Sequence, residues 1–165
     1  MLRDVPDGTH CFVDANIFYY HLVDTPPLSD DCSDFLKRLE RRDVIGSTST
    51  ASIAEATHKV MLADAVRTHN LDRKGLVVRL KRLPQFLAVL AEHTAVVPTV
   101  RSLNLQIEPI TLELLETAAS LSVQMCLLTN DAMTVAVMKK LGLAHLATND
   151  DDFDQIAGIT IWKPR

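Results

Sequence analysis

Between Leu127 and Asp154 the sequence LLTNDAMTVAVMKKLGLAHLATNDDDFD holds two Asn-Asp pairs, Asn130-Asp131 and Asn149-Asp150. They are separated by one apolar helical segment and one short apolar strand. Apolar residues run almost unbroken from Ala132 to Leu141, with Lys139-Lys140 in the last turn and Gly142 beyond it, which predicts a buried helix closed by a C-terminal glycine. Leu143 to Ala147 predicts a strand. In open α/β sheets ligands bind outside the carboxyl ends of the strands. Asp131 opens the helix and Asp150 follows the strand, so the pattern allows both carboxylates to face one cleft.

Read from its start, the chain repeats this alternation. His10 to Ala15 (HCFVDA) predicts a strand that ends at Asp14, and Asn16 leads into the amphipathic IFYYHLV. An acid at that junction serves either as a helix cap or as a cation ligand, because the free N–H groups of a helix start favour negative charge. After Pro26-Pro27 a second helix starts at Ser29, acidic in its first turn and basic in its last. Asp43 to Ser47 predicts a second strand, Ser47 to Ser52 a hydroxyl-rich loop, and Ile53 to His69 a helix with Glu55 in its first turn. Ser52 and Glu55 have the spacing of a capping box, which competes with any catalytic reading of Glu55. His58, one turn later, reads as a surface or packing residue.

Leu71 to Glu92 predicts mostly helix, broken at Pro84. It gathers Arg73, Lys74, Arg79, Lys81 and Arg82 within ten residues that contain no acid. Such a segment is either a contact for nucleic-acid phosphates or a solvated helix face. Thr94 to Val97 predicts a third strand, Thr99 to Asn104 a helical turn, and Gln106 to Pro109 a connector. Thr111 to Cys126 predicts an amphipathic helix with Leu112, Leu115, Ala118, Ala119 and Leu121 toward the core. Ile159 to Trp162, behind Gly158, predicts the last strand.

A chain of 165 residues with 47% hydrophobic content predicts one domain with a single core. No apolar run reaches the roughly 20 residues of a membrane span, and the first residues lack a signal-peptide core, which predicts a cytoplasmic protein without a membrane partner. Cys11, Cys32 and Cys126 are odd in number and widely spaced, so they read as buried thiols. The net charge of −4 argues against bulk electrostatic binding of nucleic acid, yet leaves room for an acidic metal site with phosphate contacts confined to one basic patch. Gly-rich phosphate loops, GxGxxG, HExxH and a serine elbow are all missing. What remains is Asp14, Glu55, Asp131 and Asp150, each beside a predicted strand end or helix start. Converging carboxylates repel one another unless cations neutralise them, and oxygen donors suit Mg²⁺ or Mn²⁺. The sequence offers no evident base beside these acids.

Four stretches, FVDANIF around Asp14, STSTASIAE around Glu55, NDAMTVAVMKKLG around Asp131 and LATNDDDFDQI around Asp150, resemble the PIN domains in order and spacing. Within that family they resemble the VapC-like toxin ribonucleases. The resemblance covers nearly the whole chain and implies a three-layer α/β/α sandwich around a parallel sheet. It implies one PIN-like nuclease domain over residues 1–165, with a helical insertion at about residues 64–93. It further implies that Asp14, Glu55, Asp131 and Asp150, helped by Asp152, bind one or two Mg²⁺ or Mn²⁺ ions for RNA hydrolysis. Asn16 and Thr148 match positions that orient the first and last acids. An RNA substrate, a cognate antitoxin and a second copy of the chain are the partners implied. An RNA-processing PIN nuclease without an antitoxin is the alternative within the family, and two other classes remain. A phosphohydrolase with Asp14 as nucleophile would want a second Asp where Asn16 stands, and a binding module without catalysis would not need four intact acids.

Overall fold

The computed structural model describes all 165 residues. Its sheet has five strands, β1 (His10–Val13), β2 (Ile45–Ser49), β3 (Gln106–Glu108), β4 (His145–Ala147) and β5 (Thr160–Trp162). All neighbours pair in parallel, in the order β3-β2-β1-β4-β5. The chain therefore builds outward from β1 to one edge, then returns to the other side of β1 for β4. Ligand crevices open at such a reversal, beyond the carboxyl ends of the two strands that flank it. In the register Val13 lies beside Ala147, so the residues that follow them, Asp14 and Thr148, are neighbours by construction.

The alternation of side chains along β1 divides the core. Cys11 and Val13 enter one apolar cluster, with α1 (Ala15–Val23), α2 (Leu28–Glu40), α3 (Thr50–Arg67) and, after α4 (Leu76–Arg82) and α5 (Pro84–Leu87), α6 (Val96–Ser102). Phe12 points the other way, into a cluster built by α7 (Leu112–Met125) and α8 (Thr129–Leu141) with Phe153 and Ile156. The result is the three-layer α/β/α sandwich around a parallel sheet, as the resemblance implied. A small separate cluster of Ala65, Leu76, Leu80 and Leu90 holds α4 against the end of α3. No single helix is long and apolar enough to cross a membrane.

The helix α8 forms as its sequence predicts, with every side chain from Ala132 to Met138 buried. Gly142 ends it at φ 66, where its own N–H bonds to Lys139 and that of Leu143 to Met138. Glycine takes this left-handed position without a Cβ penalty.

Several expectations fail for identifiable reasons. Thr94 to Val97 is not a strand: Glu92–Ala95 forms a 3-10 turn that runs into α6, because Asp64 from α3 accepts the N–H groups of Ala91 (2.9 Å) and Glu92 (3.2 Å) and so starts a helical turn there. The third strand is instead Gln106–Glu108, expected as a connector; it pairs along β2 only over Ser47 to Ser49, and so short an edge strand carries little pattern of its own. Ser47 to Ser49 belongs to β2 rather than to a loop, and α3 starts at Thr50. Ser52 is not its cap: Ser49 accepts the Ser52 N–H at 3.0 Å, so the Ser52–Glu55 capping box does not form. Between Leu71 and Glu92 only Leu76–Arg82 and Pro84–Leu87 are α-helical. On α7 the core face is Leu114, Ala118 and Leu121, while Leu112 and Leu115 are exposed, a rotation of about one residue from the predicted stripe. Cys126 is exposed, at the left-handed end of α7, whereas Cys11 and Cys32 are buried as expected.

Candidate active site at the carboxyl edge of the sheet

Asp14 leaves β1 and caps α1. Its Oδ1 accepts the Ala15 N–H at 2.7 Å, and its Oδ2 accepts from the Thr148 hydroxyl at 2.7 Å and the Asn16 amide at 2.7 Å. The two readings of Asp14, cap and ligand, are thus compatible, since every donor it meets is neutral. Asn16 also donates to Thr148 Oγ1 at 2.9 Å and accepts the Asn149 N–H at 3.1 Å through Oδ1. Asn16 and Thr148 thereby tie the ends of β1 and β4 together around one buried carboxylate. Burial pushes the Asp14 carboxyl above its ordinary range, against the Thr148 and Ala15 hydrogen bonds, and Glu55 adds to the rise.

Asp150 sits two residues past Thr148. Its backbone N–H donates to Thr148 Oγ1 at 3.1 Å, and its Oδ1 caps the short turn Asp151–Phe153 by accepting the Asp152 N–H at 3.0 Å. The dense run of acids sorts itself here. Asp151 and Asp154 each bind Lys163 Nζ at 2.6 Å, so these two are held on the outside. Asp152 stays unpaired.

Asp131 lies in the first turn of α8 and makes no side-chain hydrogen bond. Its carboxyl is pushed up to about 6, first by burial and then by the negative charges of Asp150, Asp14, Asp152 and Glu55. These acids lie near enough to Asp131 for their charges to raise it. Glu55, on α3, divides its two oxygens: Oε1 meets Lys59 Nζ at 2.7 Å and Oε2 accepts from the Asn130 amide at 2.9 Å. The Lys59 ammonium is the base that the sequence did not suggest. Burial would lower its affinity for a proton, but the Glu55 hydrogen bond and the charges of Glu55, Asp14 and Asp150 outweigh this and raise it. Lys59 and Asn130 were missed, although Glu55 to Lys59 is the i,i+4 spacing of a helix ion pair. His58, three residues after Glu55, is exposed.

The donors are all carboxylate oxygens, the set preferred by Mg²⁺ and Mn²⁺. Four carboxylates against one ammonium leave a negative excess that a divalent ion would relieve, so the residues fit such an ion. No three Asp, Glu, His or Cys side chains stand together as a ready-made metal cage. Glu55 is turned toward Lys59 and Asn130, and holding an ion with all four acids requires side-chain movement.

Beside the acids a groove of about 880 Å³ runs between α1, α3 and α4. Asn16 and Lys59, which touch Asp14 and Glu55, line it, as do Tyr20 and Arg73. Of the five basic residues singled out in the sequence, only Arg73 reaches this groove. Lys74, Arg79, Lys81 and Arg82 do not line it, and none of the five makes an ion pair.

One pH dependence follows directly. In metal-free protein the folded state holds the Asp131 proton up to about pH 6, whereas the unfolded chain releases it near 3.8. Folded protein binds more protons between these values, so stability falls as pH rises through that window. The half-exposed position reduces the effect to about 1 kcal/mol. Denaturant midpoints measured in EDTA across this range should show the fall, and Asp131→Asn should remove this part of it.

Acidic side chains gathered at the carboxyl edge of a parallel sheet, where the strand order reverses, define the class as an α/β fold with an acidic ligand edge. The chain belongs to the PIN domain family, whose sequence profile matches residues 11–159. No curated protein is close enough in sequence to count as a relative. Among solved structures the fold is similar to VapBC2 from Rickettsia felis bound to a promoter DNA fragment, with TM-score 0.59 and 14% identity over 94% of this chain and 98% of that one. It is also similar to VapC20 from Mycobacterium tuberculosis, described as a Sarcin-Ricin loop cleaving toxin, with TM-score 0.60 and 20% identity over 91% and 96%. A toxin-antitoxin complex from Klebsiella pneumoniae gives TM-score 0.51 and 17% identity over 91% and 95%.

Proposed function

We propose that this protein is a Mg²⁺- or Mn²⁺-dependent endoribonuclease and the toxin of a toxin-antitoxin pair, with residues 1–165 acting as one nuclease unit and residues 64–93 as its insertion. The observation that carries the reading is the tie between β1 and β4, where Thr148 and Asn16 orient Asp14 beside Asp150 at the sheet's reversal. Membership in the PIN family, and a fold shared with toxins of the VapC group, support the nuclease and its antitoxin partner.

When bound, a divalent ion supplies an activated water and neutralises charge at the phosphate. Asp14, Glu55, Asp131 and Asp150 would hold it, with Asp152 as an accessory ligand. Asp14 is fixed by three neutral donors and keeps one geometry throughout. Asp131, pushed up to about 6 without metal by burial and by the neighbouring acids, would be held ionised by a bound cation and so serve as a ligand. Asn16 and Thr148 position Asp14 through its Oδ2. The groove from Asn16 and Lys59 toward Arg73 offers a path for the strand. No covalent intermediate is needed, which separates this reading from an aspartyl-phosphate enzyme.

Incubation of a structured RNA with Mn²⁺, with and without EDTA, tests the reading: internal cleavage only in the metal arm is expected, and intact RNA in both arms contradicts it. A small reading frame upstream that encodes a DNA-binding protein would support the antitoxin. The basic segment has its own test. If Arg79, Lys81 and Arg82 track RNA backbone, their triple replacement by Ala should weaken RNA binding and reduce its salt slope by about 2, at about 0.7 per phosphate contact on a single strand. Metal affinity should not change, and an unaltered slope would return the segment to a solvated surface.

A further inference from the structure

We infer that the Lys59 ammonium is a built-in counter-cation of the acid crevice, which a divalent ion must displace from Glu55 in order to load. The inference rests on the metal-dependent reading of this site and concerns how that site is regulated.

The first ground is connectivity. Of the four acids only Glu55 has an ion-pair partner, Lys59 at 2.7 Å, and both Glu55 oxygens are committed because Asn130 takes the other at 2.9 Å. Asp14 is satisfied by neutral donors and Asp150 by backbone N–H, so neither gains a compensating charge from its hydrogen bonds. Asp131 has no partner at all. Whatever positive charge the metal-free crevice possesses is therefore Lys59.

The second ground is placement. Lys59 follows Glu55 by four residues on α3, the orientation in which a Glu–Lys pair suits the helix best. It also lines the groove together with Asn16, whose amide touches Asp14. A residue that lines the groove thus carries the ammonium that Glu55 holds.

The third ground is the absence of a preformed cage. An ion that draws on Glu55 must compete with the Lys59 ammonium for a carboxylate whose charge is already neutralised. Loading then requires Glu55 to exchange one cation for another, and Lys59 to withdraw into the groove.

Mn²⁺ itself is the probe. Isothermal titration of metal-free wild type, Lys59→Met, Lys59→Gln and Lys59→Arg gives the affinities, and melting in EDTA gives the stability of the unloaded proteins. Methionine keeps the apolar stem that lies along the groove, and the glutamine variant repeats the test if methionine packs poorly. Removing a unit positive charge a few ångströms from the ion should tighten Mn²⁺ binding about tenfold. Both neutral variants should also melt lower in EDTA, and gain more from Mn²⁺ than wild type does. Lys59→Arg should stay near wild type in both readouts. A wild type that binds Mn²⁺ while both neutral variants bind it no more tightly overturns the counter-cation role and leaves the metal site standing. Proteins that all ignore Mn²⁺ overturn the metal reading and this inference with it.

Discussion

Asp14→Asn should lower Mn²⁺-dependent RNA cleavage by at least about a hundredfold, since losing even an outer partner of a metal site can cost that much. The substitution keeps the side chain's size and its cap on Ala15, but it removes the charge. It also places an amide nitrogen where Thr148 and Asn16 now donate, so at least one of those hydrogen bonds must be lost or reversed. Asp150→Asn should be nearly as severe. Asp152→Asn should give an intermediate loss, because its charge faces Asp131 although it holds no bond in the crevice. Asp154→Asn should leave cleavage largely intact and cost a little stability through Lys163. Initial rates for the four variants, matched for folding, give the order. Cleavage kept by Asp150→Asn but lost by Asp152→Asn would move the fourth acid to Asp152.

Saturating Mn²⁺ should raise the melting temperature of the wild type by about 5–10 °C. Binding at a hundred times the dissociation constant adds about 2.7 kcal/mol, and each kcal/mol shifts a protein of this size by about 2–4 °C. EDTA should reverse the gain, and Asp14→Asn should abolish most of it. A melting temperature unmoved by millimolar Mn²⁺ would remove the physical reason for gathering these acids. The metal-free protein is less strained than four bare carboxylates would suggest, because Lys59 neutralises part of the charge.

What the sequence revealed follows from how local each feature is. The helix α8 was legible because apolar residues run almost unbroken from Ala132 to Met138, Lys139-Lys140 follow in the last turn and Gly142 stops it; these signals lie within one segment. Asp14 and Asp150 were legible as strand-end acids, and their pairing follows once Val13 and Ala147 share a register. The edge strand Gln106–Glu108 was not legible, since three residues beside β2 carry no period of their own. Thr94 to Val97 looked like a strand because its β-branched residues fit one, but Asp64, far away in the chain, caps the turn before them. The face of α7 was misread by about one position, which is enough to trade Leu114 for Leu115. Lys59 had a local signal, its spacing from Glu55, but its approach to the acids of β1 and β4 depends on α3 packing against α1.

Anomalous diffraction from crystals grown in Mn²⁺ tests the central claim most directly. The account predicts a manganese peak in the crevice, ligated by Asp14, Asp131 and Asp150, with Glu55 turned away from Lys59 toward the ion. Saturating Mn²⁺ that leaves the crevice without a peak, or that gives one only at Asp151 and Asp154, would contradict it.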